Sequence, residues 1–544
     1  MKLDALITNA SVKTLDPSRP QATTIGIYDG KIVGLDDEIA GLTAHENVDA
    51  QGACVTPGFN DAHCHTTWFG LTLASVNVEK LGSMEELYAK VEQAAKNTPE
   101  GEWINATGFA QQDYNDEYPS LEVLDRITHG RPLFMRKVSG HAAIANTRAL
   151  ELAGILDPDF QVPAGGKVVR DDNGNPTGLV EETAQSLIQD LIRPYSQDAI
   201  VEALDLATAQ YAKEGITSFG EAGIAAGWIG HSPVEVTAYM RARREGKLRA
   251  RAQLMPMIEA LHAINAHPSD DYGVGLDLGV VTGFGDDWVN IGPTKVFMDG
   301  AMSGETAALT KNYHGKDHPG YLQEDPEVLR QQILTAYQSG WSLAVHAIGD
   351  LACNEATRFI TEAVDKFGAP ASGVPNRIEH AGMVADELIP TLAKYNIAVT
   401  PQAAFADAIG DSMNTSLGDE RVRLLYRAKS FIEAGVLVPG TSDRPCADGN
   451  VMRGIQSFVD RRTRSGDVFG SEAECITPQQ ALEAYTSVAA EASGHGDIKG
   501  TVTPGKLADL VFLDTDPTAV DPTTIAQIPV RATMVGGEFT HREV

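Results

Sequence analysis

Short apolar runs alternate with amphipathic, helix-length segments through the middle of the chain. The runs are CVTPGFNDAHCH (54–65), ITSFGEAG (216–223), LRARAQLM (248–255), GPTKVFMDG (292–300), SLAVHAIGD (342–350), NRIEHAG (376–382), NIAVTPQ (396–402) and VLVPGTSDRP (436–445). Segments such as PEVLRQQILTAYQSG and ADELIPTLAKY lie between them and carry helical periodicity. Near-continuous apolar strands separated by helices predict an α/β fold with a parallel sheet covered on both faces. Eight such runs are the number that closes a (β/α)8 TIM-type barrel.

The two ends of the chain have a different pattern. ALITNASVKTLD and ATTIGIYDGKIVGL near the start, and ADLVFLD and VRATMVGGEF near the finish, are short β runs. Asp29-Gly30 and Gly536-Gly537 are hairpin turns by composition. Pairing of the ends into one small β domain, residues 1–56 with 500–544, would tie down both termini. The barrel then covers 57–499. Residues 66–200 are too long for one βα unit and read as an insertion after the first barrel strand. Its Trp103, Tyr114 and Tyr118, with Trp68, suit a lid or pocket wall, or plain core. The stretch 403–420, with Gly410 and Gly418 among small polar residues, reads as a closing lid.

Composition narrows the partners. The 544 residues are 43% hydrophobic and 22% charged, an ordinary globular balance with ample core material. Lys plus Arg is 43 and Asp plus Glu 74, giving 43 − 74 = −31. Such a surface repels phosphate backbones and anionic membranes, so neither nucleic acid nor membrane is an expected partner. No apolar stretch is long enough to span a bilayer. The N-terminal sequence lacks the apolar core of a signal peptide. The five cysteines are odd in number and without CxxC spacing, which argues against a disulfide framework. Cytoplasm is the expected compartment. No GxxxxGK[ST] phosphate loop is present.

Candidate chemistry lies where polar residues close the apolar runs. Barrel enzymes build their sites from the C-terminal ends of several strands. His63 and His65 in DAHCH share one face of a strand, because side chains alternate with period two. Two imidazoles on one strand suit a zinc ion and leave positions for other ligands. His346 ends SLAVH, His380 ends NRIEH, and Asp443 closes PGTSD, where a carboxylate can touch a metal and take a proton. Lys295 lies inward among apolar neighbours, where a free ammonium is costly. An ion pair with Asp299 is one solution, and carbamylation into a metal-bridging anion is another.

PGFNDAHCH, Lys295 in TKVFMDG, His346, His380 and Ser442-Asp443 together resemble the metal site of the amidohydrolase superfamily. GHAAIAN (140–146), PTGLVEE (176–182), DGAMSGETAAL (299–309) and VHAIGD (345–350) are similar to its branch containing N-substituted formamide deformylases. TVTPGKLADLVFLDTDP resembles the return into that superfamily's β-sandwich. The resemblance covers nearly the whole chain. It implies one or two divalent metals, zinc first among them. His63, His65 and Asp443 would hold the more buried metal. Lys295, N6-carboxylated, would bridge to a second metal held by His346 and His380. It further implies a small-molecule substrate whose non-peptide amide bond is hydrolysed, with Asp443 shuttling the proton. His141 matches a position able to polarise the substrate carbonyl, or is structural. Glu182 faces the pocket or caps the insertion. Glu221 stands where an aspartate is expected, which leaves its role open. A deaminase or cyclic-amide hydrolase shares these ligands, and a silent regulatory barrel would keep the scaffold alone. Members are often dimers or larger, so a homodimer is one expected state.

Overall fold

A computed structural model describes residues 2–137, 142–163, 166–270 and 272–543, with Thr183 described by its backbone alone. One compact unit comprises residues up to Thr67 together with Ala207 onward, and a second comprises Trp68–Leu206.

In the first unit, β1 (Phe59–Cys64), β2 (Ile216–Ile224), β3 (Arg251–Pro256) and β4 (Val289–Ile291) form a parallel sheet in chain order. β5 (Thr294–Phe297), β6 (Leu343–Ala347), β7 (Arg377–His380) and β8 (Ala398–Thr400) form a second parallel sheet, again in chain order. Nearly every residue of these strands is buried, which is why the runs are apolar throughout instead of alternating. Helices over Glu235–Arg244, Pro326–Gln338, Asp350–Phe367 and Ile389–Lys394 supply the connections. The Pro326 helix starts where its sequence says it should. Asp325 caps it by accepting from the Glu327 amide, and proline occupies the first turn, where no amide is needed.

The run read as the fourth strand, 292–300, holds β5, while β4 precedes that run as a further short strand. Gly292-Pro293 separates them, and proline has no amide to donate to a ladder. A parallel bridge between Met257 and Lys295 links the two sheets across that break. The run 436–445, expected as the eighth strand, carries no assigned strand. Pro439 and Pro445 interrupt it, and Gly440 packs so close to Tyr485 that a Cβ there would lie 2.4 Å from its ring. The segment nonetheless lies beside both β8 and β1. The Leu437 carbonyl accepts from the Val399 amide at 3.0 Å, and the Gly440 carbonyl from the Ala62 amide at 3.0 Å.

The chain ends share a six-stranded sheet ordered Glu538–Arg542, Val530–Val535, Leu510–Leu513, Cys54–Pro57, Ser11–Lys13 and Gln21–Ala22. A four-stranded sheet holds Lys31–Leu35, Ile25–Tyr28, Lys2–Thr8 and Thr43–Asp49. One apolar core, including Ile7, Ile27, Val55, Leu510 and Met534, draws on both. The turns Asp29-Gly30 and Gly536-Gly537 have positive φ at both positions, as tight hairpins require.

The second unit has its own six-stranded sheet and helices over Met84–Asn97 and Leu121–Thr128. Leu87, Val91 and Ala95 recur at helical spacing and are fully buried. Tyr114 stacks on Phe109 with ring centroids 5.4 Å apart, and Trp103 packs on a neighbouring cluster, so both serve this unit's core. Tyr118 is exposed. The 403–420 stretch, expected as a loop, is largely helical. Phe405–Leu417 is a helix whose Phe405, Met413 and Leu417 are buried in a hydrophobic cluster. Its small residues permit close packing. No helix among the described residues is long and apolar enough to cross a membrane.

Candidate metal centre

β1 delivers His63 and, one residue past its end, His65 on the same side. Their Nε2 atoms lie 3.2 and 3.0 Å from a single carboxylate oxygen, Oδ1 of Asp443. The His63 ring is 4.9 Å from that of His380, which in turn is 4.4 Å from that of His346. His63, His380 and Asp443 each offer one donor atom within 4.8 Å of the others. The runs that seemed separate along the sequence thus converge on one point.

Backbone kinks assist that convergence. His380 and Ala381 have φ of +69° and +44°, and Asp443 has +56°, left-handed values that side chains other than glycine rarely adopt. The turn after β7 swings His380 off the strict alternation of its strand. Such conformations persist where the surroundings over-determine them, and they cluster at functional sites. Asp61 anchors the Asp443 segment to β1. Its Oδ1 accepts from the Ser442 and His63 amides at 3.1 and 3.3 Å, and Oδ2 from the Ser442 hydroxyl. Burial pushes the Asp61 carboxyl up to about 6.

Hydrogen bonding fixes which nitrogen each imidazole presents. His63 Nδ1 pairs with the Glu379 carboxylate, so Nε2 keeps its lone pair. His380 Nδ1 lies 2.8 Å from Gln402 Oε1, an amide oriented by its own bond to the Thr400 carbonyl. His346 Nε2 lies 3.1 Å from the Gly300 carbonyl, leaving Nδ1 as the lone-pair nitrogen. An N–H held by an acceptor with the other nitrogen bare is the preparation of a metal-binding histidine. Burial drives His65 down to about 4, His380 to about 3, and His346 well below its ordinary value, so all three are neutral. Burial opposes ionisation of Asp443, but the His63 and His65 side chains outweigh it and hold the carboxyl well below the usual range.

Lys295 is fully buried on β5. Burial lowers its ammonium to about 8, against the pull of Glu379 and Asp443. The ion pair with Asp299 does not form. Asp299 instead accepts from the Ala308, Ile348 and Gly349 amides at 2.9, 3.0 and 2.8 Å, at the start of the Asp350 helix. Among the described residues, His63 Nε2, Asp443 Oδ1, Lys295 Nζ and His346 Nδ1 are all buried without a hydrogen-bond partner. Unpartnered imidazole, carboxylate and amine atoms of this kind, with His63, His380 and Asp443 within 4.8 Å of one another, fit a divalent metal.

The sequence reading missed Arg377 and Glu379. Both are fully buried, form a two-pronged ion pair, and support the site from behind. Arg377 also donates to the Ala62 carbonyl at 2.7 Å, and Thr400 to Glu379 at 3.0 Å. Opposite charges two apart within an apolar run were the available signal.

Glu221 holds a structural position. Its Oε2 accepts from the Thr66 and Thr67 amides at 2.8 and 3.3 Å and from Tyr239 at 2.7 Å, fixing the chain just after His65. Burial, with the Glu235 carboxyl adding to it, pushes Glu221 up to about 8. The folded protein therefore holds this proton more tightly than the unfolded chain does. Its contribution to stability is complete at acid pH and fades as pH rises to about 8. Glu221→Gln is expected to flatten that part of a profile of Tm against pH, leaving the variant a few degrees more stable than the natural protein in alkali. Parallel profiles would refute it. Glu182 ends the strand Pro176–Glu182 of the second unit and is exposed. His141 lies outside the described residues.

Comparison with known proteins places this geometry. Residues 46–541 match the family model described as amidohydrolase family. YtcJ of Bacillus subtilis is 29% identical, covering 95% of this chain and 95% of its own. An N-substituted formamide deformylase of Arthrobacter pascens is 28% identical, covering 98% of this chain and 97% of its own. A metal-dependent hydrolase from Pyrococcus horikoshii, solved by crystallography, shares the fold, with a TM-score of 0.76 at 24% identity over 95% of this chain and 99% of that one.

Proposed function

The chain belongs to the amidohydrolase family, and from that premise we propose that it is a metal-dependent hydrolase of a non-peptide C–N bond in a small amide, an N-substituted formamide or similar. The observation that carries this reading is the set of buried donor atoms left without hydrogen bonds at one point. In this reading β1–β3, β5–β8 and the 436–445 segment are the eight strands of one (β/α)8 barrel spanning 57–499. Residues 1–56 and 500–544 make a β-sandwich domain, and residues of about 66–200 are the insertion. His63, His65 and Asp443 would hold one zinc ion. Lys295, carboxylated on its amine, would share a second with His346 and His380.

A bound divalent metal makes water acidic enough to attack at neutral pH and polarises the carbonyl it faces. The chain's own residues do the rest. The Asp443 carboxylate takes the proton of the attacking water and returns it to the departing nitrogen as the C–N bond breaks, yielding an acid and an amine. The Nε2 atoms of His63 and His65 flank Asp443 Oδ1 at 3.2 and 3.0 Å, so one ion would be within reach of all three. His141 completes the reading as the group that polarises the carbonyl. The family alignment supports the class of reaction, and the formamide relative supports the substrate.

Elemental analysis of protein purified without chelators, with native mass measured in bicarbonate, tests the reading. Two metal equivalents and the added mass of one carbon dioxide are expected. One metal and no added mass would move the assignment to a mononuclear deaminase with Lys295 unmodified. No metal, and none taken up on titration, would sink it.

A further inference from the structure

We propose that Cys446 lines the recess beside Asp443 and sets the size of the substituent accepted on the substrate nitrogen, an uncharged alkyl group of limited bulk. The chain folds back just after Asp443, because the Cys446 amide donates to the Asp443 carbonyl at 2.8 Å. That turn brings the thiol beside the carboxyl three residues earlier. Cys446 is exposed, although Asp443 and Arg444 before it and Ala447 after it are buried. Burial nevertheless pushes its thiol well above the ordinary value, and the Asp443 charge adds to the effect. A side chain that meets solvent while hemmed in by protein opens into a recess and not onto the outer surface. Asp443 keeps 6% of its own surface open, so the recess reaches the carboxyl.

Lys295 gives a second sign of a ligand at this place. Its ammonium acts on the thiol in the sense opposite to Asp443, so the two side chains are neighbours. Lys295 is fully buried, and its Nζ has no hydrogen-bond partner among the described residues. In the hydrolase reading above, on which this inference rests, the Asp443 carboxylate returns a proton to the departing nitrogen. Whatever that nitrogen carries therefore lies against the residue beside the carboxyl. A thiol is a weak hydrogen-bond donor and packs as a small hydrophobe. It offers nothing to replace the hydration of a charged or strongly polar group. The substrate class is thus amides with an apolar alkyl substituent on nitrogen, and the small Cys446 side chain leaves the room that this substituent fills.

The test has two arms, both on the metal-loaded full-length protein. In the first, methyl methanethiosulfonate labels accessible thiols and peptide masses locate them. Cys54, Cys64 and Cys353 are buried, so Cys446 is expected to react ahead of them. N-butylmethanesulfonamide, an unreactive amide mimic, is expected to slow that labelling about tenfold, while methanesulfonamide, which lacks the chain, leaves it nearly unchanged. An unreactive Cys446, or equal rates with the two sulfonamides, would overturn the proposal. In the kinetic arm, Cys446→Leu narrows the recess. It is expected to lower the ratio of kcat/KM for N-butylformamide over N-methylformamide about tenfold, mainly through KM, whereas Cys446→Ala preserves or raises that ratio. A loss shared equally by both substrates would mark Cys446 as structural and reject the proposal. If the natural protein hydrolyses neither formamide, the hydrolase reading fails on its own, and the labelling arm still decides the recess.

Discussion

Replacing Asp443 by asparagine is expected to lower kcat about a thousandfold, within the range that a positioned acid–base group contributes, while KM changes little. Asparagine keeps the shape of the side chain and tolerates the left-handed backbone found at this position, φ +56°. What it loses is the charge and the ability to carry a proton. Against the opposing effect of burial, the natural carboxyl is held well below its ordinary range by His63 and His65, so it is ionised at neutral pH. The remaining donors, His63, His65, His346, His380 and Lys295, are untouched, so much of the metal should stay. Single-turnover kinetics beside elemental analysis separates the two roles of Asp443. A fall in kcat with metal retained supports the proton carrier. Activity that falls only in step with lost metal would reduce Asp443 to a ligand, and near-normal turnover would remove it from the mechanism.

The residues of this site were readable in proportion to how closely they obey strand periodicity. His63 and His65 sit two apart at the end of a buried strand, and alternation alone sends both to one side. The hairpins at Asp29-Gly30 and Gly536-Gly537 were equally legible, because two successive positive φ values leave few residue choices. Asp443 was found only by its place at the end of an apolar run. The segment that carries it is held by three backbone bonds to the β1 run (Ala62 to Gly440, Asp443 to His63, His65 to Arg444), by the Val399 amide on its other side and by Asp61 beneath, a set of long-range contacts with no local pattern. The 403–420 stretch misled because Gly and small polar residues have low helix propensity, yet burial of Phe405, Met413 and Leu417 fixes a helix there. Arg377 and Glu379 left only one faint signal, opposite charges two apart within an apolar run. Charged side chains are almost never fully buried unless paired, and the pairing is a fact of the fold. Tertiary contact, unlike periodicity, leaves little trace within any one segment.

That hidden pair carries the largest expected effect on stability. Arg377→Met is expected to cost about 3–5 kcal/mol, the usual consequence of stranding a buried charge. Glu379 would be left with His63 and Thr400, without the guanidinium that joins His63 in holding its carboxyl well below the ordinary range against the opposing effect of burial. The natural protein's depressed carboxyl stabilises it above the ordinary carboxylate pKa, and this benefit is lost as pH falls. Arg377→Met gives up that margin, so its deficit is expected to shrink towards acid, where protonated Glu379 is tolerated. The same change loosens His63, whose Nδ1 is held by Glu379. Metal affinity should fall about 10–100-fold, as when an outer partner of a ligating histidine is lost. Denaturant unfolding and metal titration of Arg377→Met, Glu379→Gln and the double variant form a cycle that isolates the pair. In the natural protein Arg377 Nη1 already lacks a hydrogen-bond partner among the described residues. The pair is thus imperfectly satisfied, and replacing both members should recover much of the stability that Arg377→Met loses. Metal affinity should not recover with it, because the neutral amide introduced by Glu379→Gln cannot return a negative charge to His63. Stability restored without affinity would place the pair's role in aiming His63, whereas joint recovery would make it a packing element alone.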